Sequence, residues 1–361
     1  MRLVSAVDCQ EGMVLAKAIY NDDGLVLINE GIKLTQRMID RLVQMGITLV
    51  YIQDSRTNDI VVPEYISDKT RMLAMKTIKE QFSKLADAGK LINAIKDPAF
   101  VKSFQKSVKA IVEDLKEIEG AMSALTNLYS YDEYTFTHSL HVTVYTLTLA
   151  MAKNYTDKQL LEIGLGAILH DIGKLTIPHD ILTKPGKLTD QEFNVIKEHP
   201  EQGFELLRKI HEIPFVCAHC AYQHHERENG SGYPRGLKNE EIHEYAKLIG
   251  ICDVFDALTS HRSYRAALPP HEAMEIIFAG SGTLFSPQLV ELFRDTISMY
   301  PVGMTVKLSD GSIGVVRELN RQLPSRPKIR LIKDKNGQPT MQEIDLASVL
   351  SIVIDKPVTL S

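Results

Sequence analysis

The sequence predicts a mainly α fold: a helical domain that carries the chemistry, preceded by a small α+β module and a helical connector, and followed by a small β module. Three observations predict it. From Ser67 onward, apolar residues recur at three- and four-residue steps, the period of an amphipathic helix. Every candidate metal ligand falls in one helix-rich stretch, residues 129–296. At either end of the chain, short β-like runs alternate with Gly, Asn and Asp turns. The expected divisions are 1–62, 63–128, 129–296 and 297–361.

In the first module, Met13-Val-Leu-Ala and Leu25-Val-Leu-Ile flank the turn Asn21-Asp-Asp-Gly24, which predicts a hairpin. Thr35 is placed to cap a short helix through Met45, with Gly46 ending it. Ile47 to Ile52 then reads as a strand. No catalytic constellation lies here, so the module is a packing or interaction unit, or a small-molecule sensor.

In the connector, Met72, Met75, Ile78, Phe82 and Leu85 form one stripe, and Gly89 interrupts the helix. Asp97 offers an N-cap and Pro98 suits the first helical position. Phe100, Phe104, Ile111, Leu115, Ile118, Met122 and Leu125 then continue at nearly heptad spacing. Two readings stand: a helical hairpin buried within the chain, or a stalk that pairs two copies into a homodimer.

After Tyr300-Pro301, strands are expected at Val306–Leu308, Ile313–Val316, Ile329–Ile332 and Ile352–Ile354, with turns at Asp310-Gly311 and Asn336-Gly337. No catalytic motif accompanies them.

Composition narrows the function classes. The chain has 361 residues, 44% of them hydrophobic and 24% charged, which describes an ordinary globular protein of more than one domain. A formal net charge of -5 gives no basic footprint for a nucleic-acid polymer. Cys9, Cys217, Cys220 and Cys252 show no disulfide framework. No apolar run reaches the roughly 20 residues that cross a bilayer, and the first eight residues are too short and too soon charged for a signal peptide. These features lead us to expect a cytoplasmic protein without a membrane span.

The chemistry centres on Leu169-His-Asp-Ile-Gly-Lys174. His170 and Asp171 offer a nitrogen and an oxygen donor at one backbone locus, delivered by the apolar, helix-like run from Glu162 to Leu169. Continued helix would put Lys174 on the face of His170. His138 lies upstream, and His199, His224, His225 and Asp253 lie downstream. Five histidines and two aspartates suffice for a two-metal hydrolytic site, and the lack of thiolates favours iron or manganese over structural zinc.

These residues sit in a series of motifs: Tyr134-Thr-Phe-Thr-His138-Ser, His170-Asp-Ile-Gly-Lys174, Lys184-Pro-Gly-Lys-Leu188, Lys197-Glu-His199-Pro, His224-His-Glu226, Gly232-Tyr-Pro234 and Asp253-Val-Phe-Asp-Ala-Leu258. In this order, over residues 129–290, the chain resembles the HD-GYP family of cyclic-dinucleotide phosphodiesterases, within the HD metal-dependent phosphohydrolase superfamily. The resemblance implies a helical HD-type domain that hydrolyses cyclic di-GMP to linear pGpG and on to GMP, or cyclic GMP-AMP, or a receptor that binds such a dinucleotide without turnover. It implies one metal on His138, His170, Asp171 and Asp253, and a second on His199, His224 and His225, with Asp171 bridging. The attacking group would be a hydroxide shared by the two metals, and Lys174 would serve the departing 3' oxygen. Arg262, Arg265, Lys184, Gly232, Tyr233 and Pro234 would face the substrate. The Gly-Tyr-Pro loop would also contact diguanylate cyclases.

The chain departs from the family pattern twice. Tyr134 stands where some members carry the glutamate of a third metal, and the neighbouring Glu133 is turned by about 100° on a helix, so two metals are expected. Asn229 replaces the usual aspartate before the Gly-Tyr-Pro loop but remains able to form a turn. Cys217-Ala-His-Cys220 lacks a second pair of thiols and reads as packing behind His224. Asp256 is expected to support a ligand rather than to be one, and His141 to orient ligands or to be a satisfied helix histidine.

Overall fold

The computed structural model describes residues 1–20, 26–47, 49–86, 97–117, 134–184, 186–260, 267–320 and 323–358. These divide into two compact units: Met1–Tyr65 with Arg294–Ser361, and Ile66–Glu119 with Glu133–Phe293. The four expected stretches therefore combine in pairs. The two flanking modules share one unit, and the connector folds with the ligand-bearing helices. No helix among the described residues is long and apolar enough to cross a membrane.

In the first unit, β1 (Arg2–Ser5) pairs antiparallel with β4 (Leu49–Ile52), and β2 (Ile19–Tyr20) with β3 (Val26–Ile28). The first strand of the hairpin is thus Ile19–Tyr20 rather than Met13–Ala16, whose Val14 and Leu15 make only isolated bridges to Lys33 and Ile52. The expected turn at 21–24 lies outside the described residues. Between β3 and β4, α1 (Gln36–Gln44) starts as the sequence predicts, with the Thr35 hydroxyl accepting from the Met38 amide, and Gly46 follows at φ 76°.

The C-terminal part of this unit is one antiparallel sheet in the order β8-β7-β6-β5-β9, from β5 (Thr305–Leu308), β6 (Ile313–Glu318), β7 (Lys328–Lys333), β8 (Glu343–Asp345) and β9 (Ile354–Pro357). β8, with a single apolar residue, gave no sequence signal. Leu3, Tyr51 and Ile60 share a core with Val306, Val315 and Ile329. The Leu3 amide donates to the Gly303 carbonyl, and the Tyr51 hydroxyl to that of Val302.

In the second unit, α2 (Asp68–Ala86) and α3 (Pro98–Glu117) form an antiparallel pair. The start of one meets the end of the other, where the Ser67 amide donates to Asp114, and Thr77 pairs with Ser107 farther along. Asp97 caps α3 through the Ala99 amide, as expected. Phe82, Phe100, Phe104, Ile111 and Leu115 are all buried. The described part of the stripe, Met72 aside, is thus buried within this chain, as the hairpin reading expects. Met72 departs from it and is 48% exposed, because the helix turns Ala74 inward in its place. Ile118, Met122 and Leu125 lie outside the described residues.

Next come α4 (Tyr134–Ala152), α5 (Asp157–Ile168), the 3-10 turn Ile172–Thr176, α6 (His179–Leu182), α7 (Asp190–Ile196), α8 (His199–Leu207), α9 (Phe215–Gln223), α10 (Glu244–Thr259), α11 (Pro270–Ala279) and α12 (Pro287–Thr296). From Thr137 to Ala150 every residue of α4 is buried, which makes it the central helix. α5 and α10 pack on it, and α9 packs on α5 and α8.

Candidate metal centre

Helix termini deliver most of the expected ligands. His170 and Asp171 follow the end of α5, His199 opens α8, and His224 and His225 follow α9. His138 projects from α4 and Asp253 from α10. At these ends backbone carbonyls lack intrahelical partners, and three histidines use them. The Nδ1 of His170 donates to Ala167 O (2.7 Å), that of His199 to Ile196 O (2.7 Å) and that of His224 to Ala221 O (2.9 Å). Each bond fixes the tautomer and leaves Nε2 as a bare lone pair.

The Nε2 atoms of these three histidines, with that of His138, converge on Asp171. His199 Nε2 lies 3.2 Å and His224 Nε2 3.7 Å from Oδ1, while His170 Nε2 lies 3.3 Å and His138 Nε2 3.5 Å from Oδ2. Among the described residues, two groups could each hold a metal ion: His138, His170 and Asp171, and Asp171, His199, His224 and His225. Asp171 belongs to both. Asp253 stands beside them, 3.2 Å from His138 Nε2 and 3.6 Å from His225 Nδ1.

Two buried atoms test whether a cation suits this pocket. His170 Nε2 and Asp171 Oδ1 have no hydrogen-bond partner. Leaving such groups unsatisfied costs about 1–3 kcal/mol each, more for a charge, and a bound cation satisfies both. The donor set, imidazole nitrogens around a carboxylate without thiolate, suits a divalent transition metal.

The electrostatics agree. Burial opposes the charge on Asp171, but Lys174 and the neighbouring histidines hold its carboxyl well below the usual range. Asp253 is likewise held low against its burial, first by His138. Burial lowers His224 to about 4 and holds His225 well below the usual imidazole range, which keeps both imidazoles neutral. Burial also works to lower His138, but Asp253 and Asp256 outweigh it and raise the ring to about 9. Cationic charge is favoured at that position.

Asp256 does what the sequence suggests. Fully buried, its Oδ2 accepts from His138 Nδ1 at 2.7 Å and its Oδ1 from His141 Nδ1 at 2.9 Å. His141 therefore reaches His138, one of the expected ligands, through a carboxylate.

Lys174 does not sit where a continued helix would put it. The α-helix ends at Ile168 and the next turn is 3-10, whose side chains eclipse at three-residue steps. Lys174 consequently pairs with Asp171 Oδ2, at 2.5 Å, rather than sharing the face of His170. The turn also needs Gly173: a Cβ there would lie 1.9 Å from His199 O and 2.6 Å from the Gly203 amide. The missing side chain lets this turn touch the start of α8.

The Gly-Tyr-Pro loop closes one side. Gly232 packs so tightly that a Cβ would lie 2.4 Å from His225 O. Tyr233 stacks on His225, with centroids 4.6 Å apart and planes at 27°. Glu226, whose role was not among the expectations, pins the loop. The buried Glu226 carboxylate accepts from the Arg235 amide at 2.8 Å and the Leu237 amide at 3.0 Å, and its position directly after the two histidines was the available clue. Asn229 accepts from the Ser231 amide at 2.9 Å, so the turn persists without the aspartate.

Lys184 is engaged by Glu192, with its ammonium 2.7–2.8 Å from both oxygens. Arg262, Arg265 and Glu133 lie outside the described residues, and of Tyr134 only the backbone, opening α4, is described. Cys220 is buried on α9 with its sulfur against Gly166, which is packing.

The comparisons fit this geometry. A family model described as "HD domain" matches residues 106–289, and one described as "KOW domain associated with HD domain" matches residues 305–361. The chain is 37% identical over 212 residues to "Cyclic di-GMP phosphodiesterase PA4108" of Pseudomonas aeruginosa, covering 59% of this chain and 51% of that protein. It is 38% identical over 205 residues to a "Cyclic di-GMP phosphodiesterase" of Thermotoga maritima, covering 54% and 56%. It is 36% identical over 169 residues to "3'3'-cGAMP-specific phosphodiesterase 3" of Vibrio cholerae, covering 46% and 36%. The chain thus spans about half the length, or less, of these curated relatives. With the ordered motifs and the histidine cluster inside the matched region, the chain belongs to the HD domain family, in its HD-GYP branch.

Proposed function

We propose that the protein is a metal-dependent phosphodiesterase that opens cyclic di-GMP to linear pGpG. One observation carries this reading: two sets of imidazoles share a single buried carboxylate, Asp171, in the arrangement that a two-metal hydrolytic site requires. The names of the relatives at 37–38% identity support the choice of substrate.

His138, His170 and Asp171, with Asp253 alongside, would hold one ion; Asp171, His199, His224 and His225 would hold the other. Two such ions, iron or manganese by the donor set, supply Lewis acidity and an acidified water near neutral pH. The protein's own residues do the rest. Asp256 and the backbone carbonyls behind His170, His199 and His224 fix the ring orientations. Lys174, held at the edge of the cluster, would donate from Nζ to the 3' oxygen as the P–O bond breaks, or stabilise its charge. Four buried free cysteines support a cytoplasmic setting.

The test is turnover of cyclic di-GMP and 3'3' cyclic GMP-AMP by protein loaded anaerobically with iron or manganese, with products resolved by chromatography. Linear product from wild type and none from Asp171→Ala is expected. Dinucleotide bound but recovered intact would replace the enzyme with a receptor.

A further inference from the structure

A second feature runs outward from the cluster. Lys197, two residues before His199, holds its ammonium 4.6 Å from the centroid of Phe193 and 5.6 Å from that of Tyr233. Tyr233 in turn stacks on His225. Phe193 is 44% exposed, an unusual place for a phenyl ring with no core to fill. Among the described residues, no carboxylate forms an ion pair with Lys197. Two rings and a cation therefore form a half-open shelf beside the metal cluster.

The shelf is rigidly mounted. Phe193 and Lys197 belong to α7 and its C-cap, and the first turn of α7 is closed by a capping box between Thr189 and Glu192. Glu192 also takes both contacts from Lys184, tying the preceding loop to the helix. Lys184 thus serves the shelf by position.

We infer that Phe193, Lys197 and Tyr233 form a guanine subsite for one base of the dinucleotide. Aromatic faces stack any base, so the rings alone would not discriminate. Lys197 would: guanine presents O6 and N7 as adjacent acceptors, whereas adenine replaces one of them with an amino donor. An ammonium suits the first pattern and is repelled by half of the second. This inference rests on the cyclic-dinucleotide reading for its ligand, but not on hydrolysis.

The chain has no tryptophan, so Phe193→Trp places a single emitter on the shelf. The metal-loaded full chain carrying this change is mixed with cyclic di-GMP or cyclic di-AMP, and emission is read in the first milliseconds, before turnover. Saturable quenching by cyclic di-GMP is expected, with cyclic di-AMP roughly tenfold weaker. Adding Lys197→Met should bring the two ligands together. In the wild-type background, Phe193→Ala should raise KM for cyclic di-GMP roughly 5- to 150-fold with a smaller change in kcat. Quenching that is absent or indifferent to base, in a protein that still turns over cyclic di-GMP, would overturn the subsite. Guanine-selective quenching without turnover would keep the subsite and remove the phosphodiesterase reading.

Discussion

The Nε2 atoms of His199 and His224 face each other at 3.3 Å, and both rings have committed their Nδ1 protons to backbone carbonyls. With both rings neutral, neither nitrogen could donate to the other, and two lone pairs would oppose each other in a buried pocket. A cation between them and Asp171 resolves the conflict. Elemental analysis of anaerobically prepared protein should return about two equivalents of transition metal per chain, the number of groups that share Asp171. Asp171→Ala should lose most of both while retaining its helical circular dichroism. A reproducible third equivalent would show that another group, near residue 133, completes a further site.

Lys174 should separate chemistry from assembly. Lys174→Met is expected to lower kcat about 10²- to 10⁴-fold while metal content stays at the wild-type level. If metal content falls in step with rate, the lysine acts through Asp171 and not on the leaving oxygen.

Gly173→Ala should be among the costliest small substitutions. The clash is with backbone at 1.9 Å, which cannot rotate away. A loss of about 3 kcal/mol, at the upper end for overpacking, corresponds to a fall in Tm of roughly 6–12 °C. Differential scanning calorimetry measures it. Metal content should fall too, because the obstructing carbonyl belongs to His199.

Burial pushes the Cys217 thiol up to about 12, and Cys220 and Cys252 are raised by the same cause. A raised thiol pKa means less thiolate at any given pH. Alkylation of these three by iodoacetamide should therefore stay slow in the native protein from pH 7 to 9, where a free thiol of pKa about 8.5 accelerates steeply. All should react promptly in denaturant. Mass spectrometry after timed quenching distinguishes the outcomes, and fast native labelling at Cys220 would contradict the packing around Gly166.

Much of the centre was legible because its chemistry is carried by residue type. His138, His170, Asp171, His199, His224 and His225 were each identifiable before their positions were known, and Asp256 could be assigned a supporting role from its spacing to Asp253. What remained illegible depends on contacts far apart in the chain. The bond from His141 to Asp256 spans 115 residues, and no local pattern announces it. The position of Lys174 turned on a helix that stops at Ile168, a boundary that the apolar run did not mark. The short strands β1 and β8 owe their pairing to neighbours rather than to their own composition.

The shared core of the first unit has a consequence for how the chain is made. The Leu3 amide finds its partner only at Gly303, so a ribosome that has finished the N-terminal residues must add roughly 300 more before that bond can close. At typical rates of about 5–20 residues per second, the wait is on the order of 15–60 s. During that interval the helical unit can fold, but Leu3 and Tyr51 lack the sheet that will cover them. Removing residues 297–361 as a dispensable tail would make that exposure permanent. The two flanking parts of the first unit mature together, after the helical unit between them has been made.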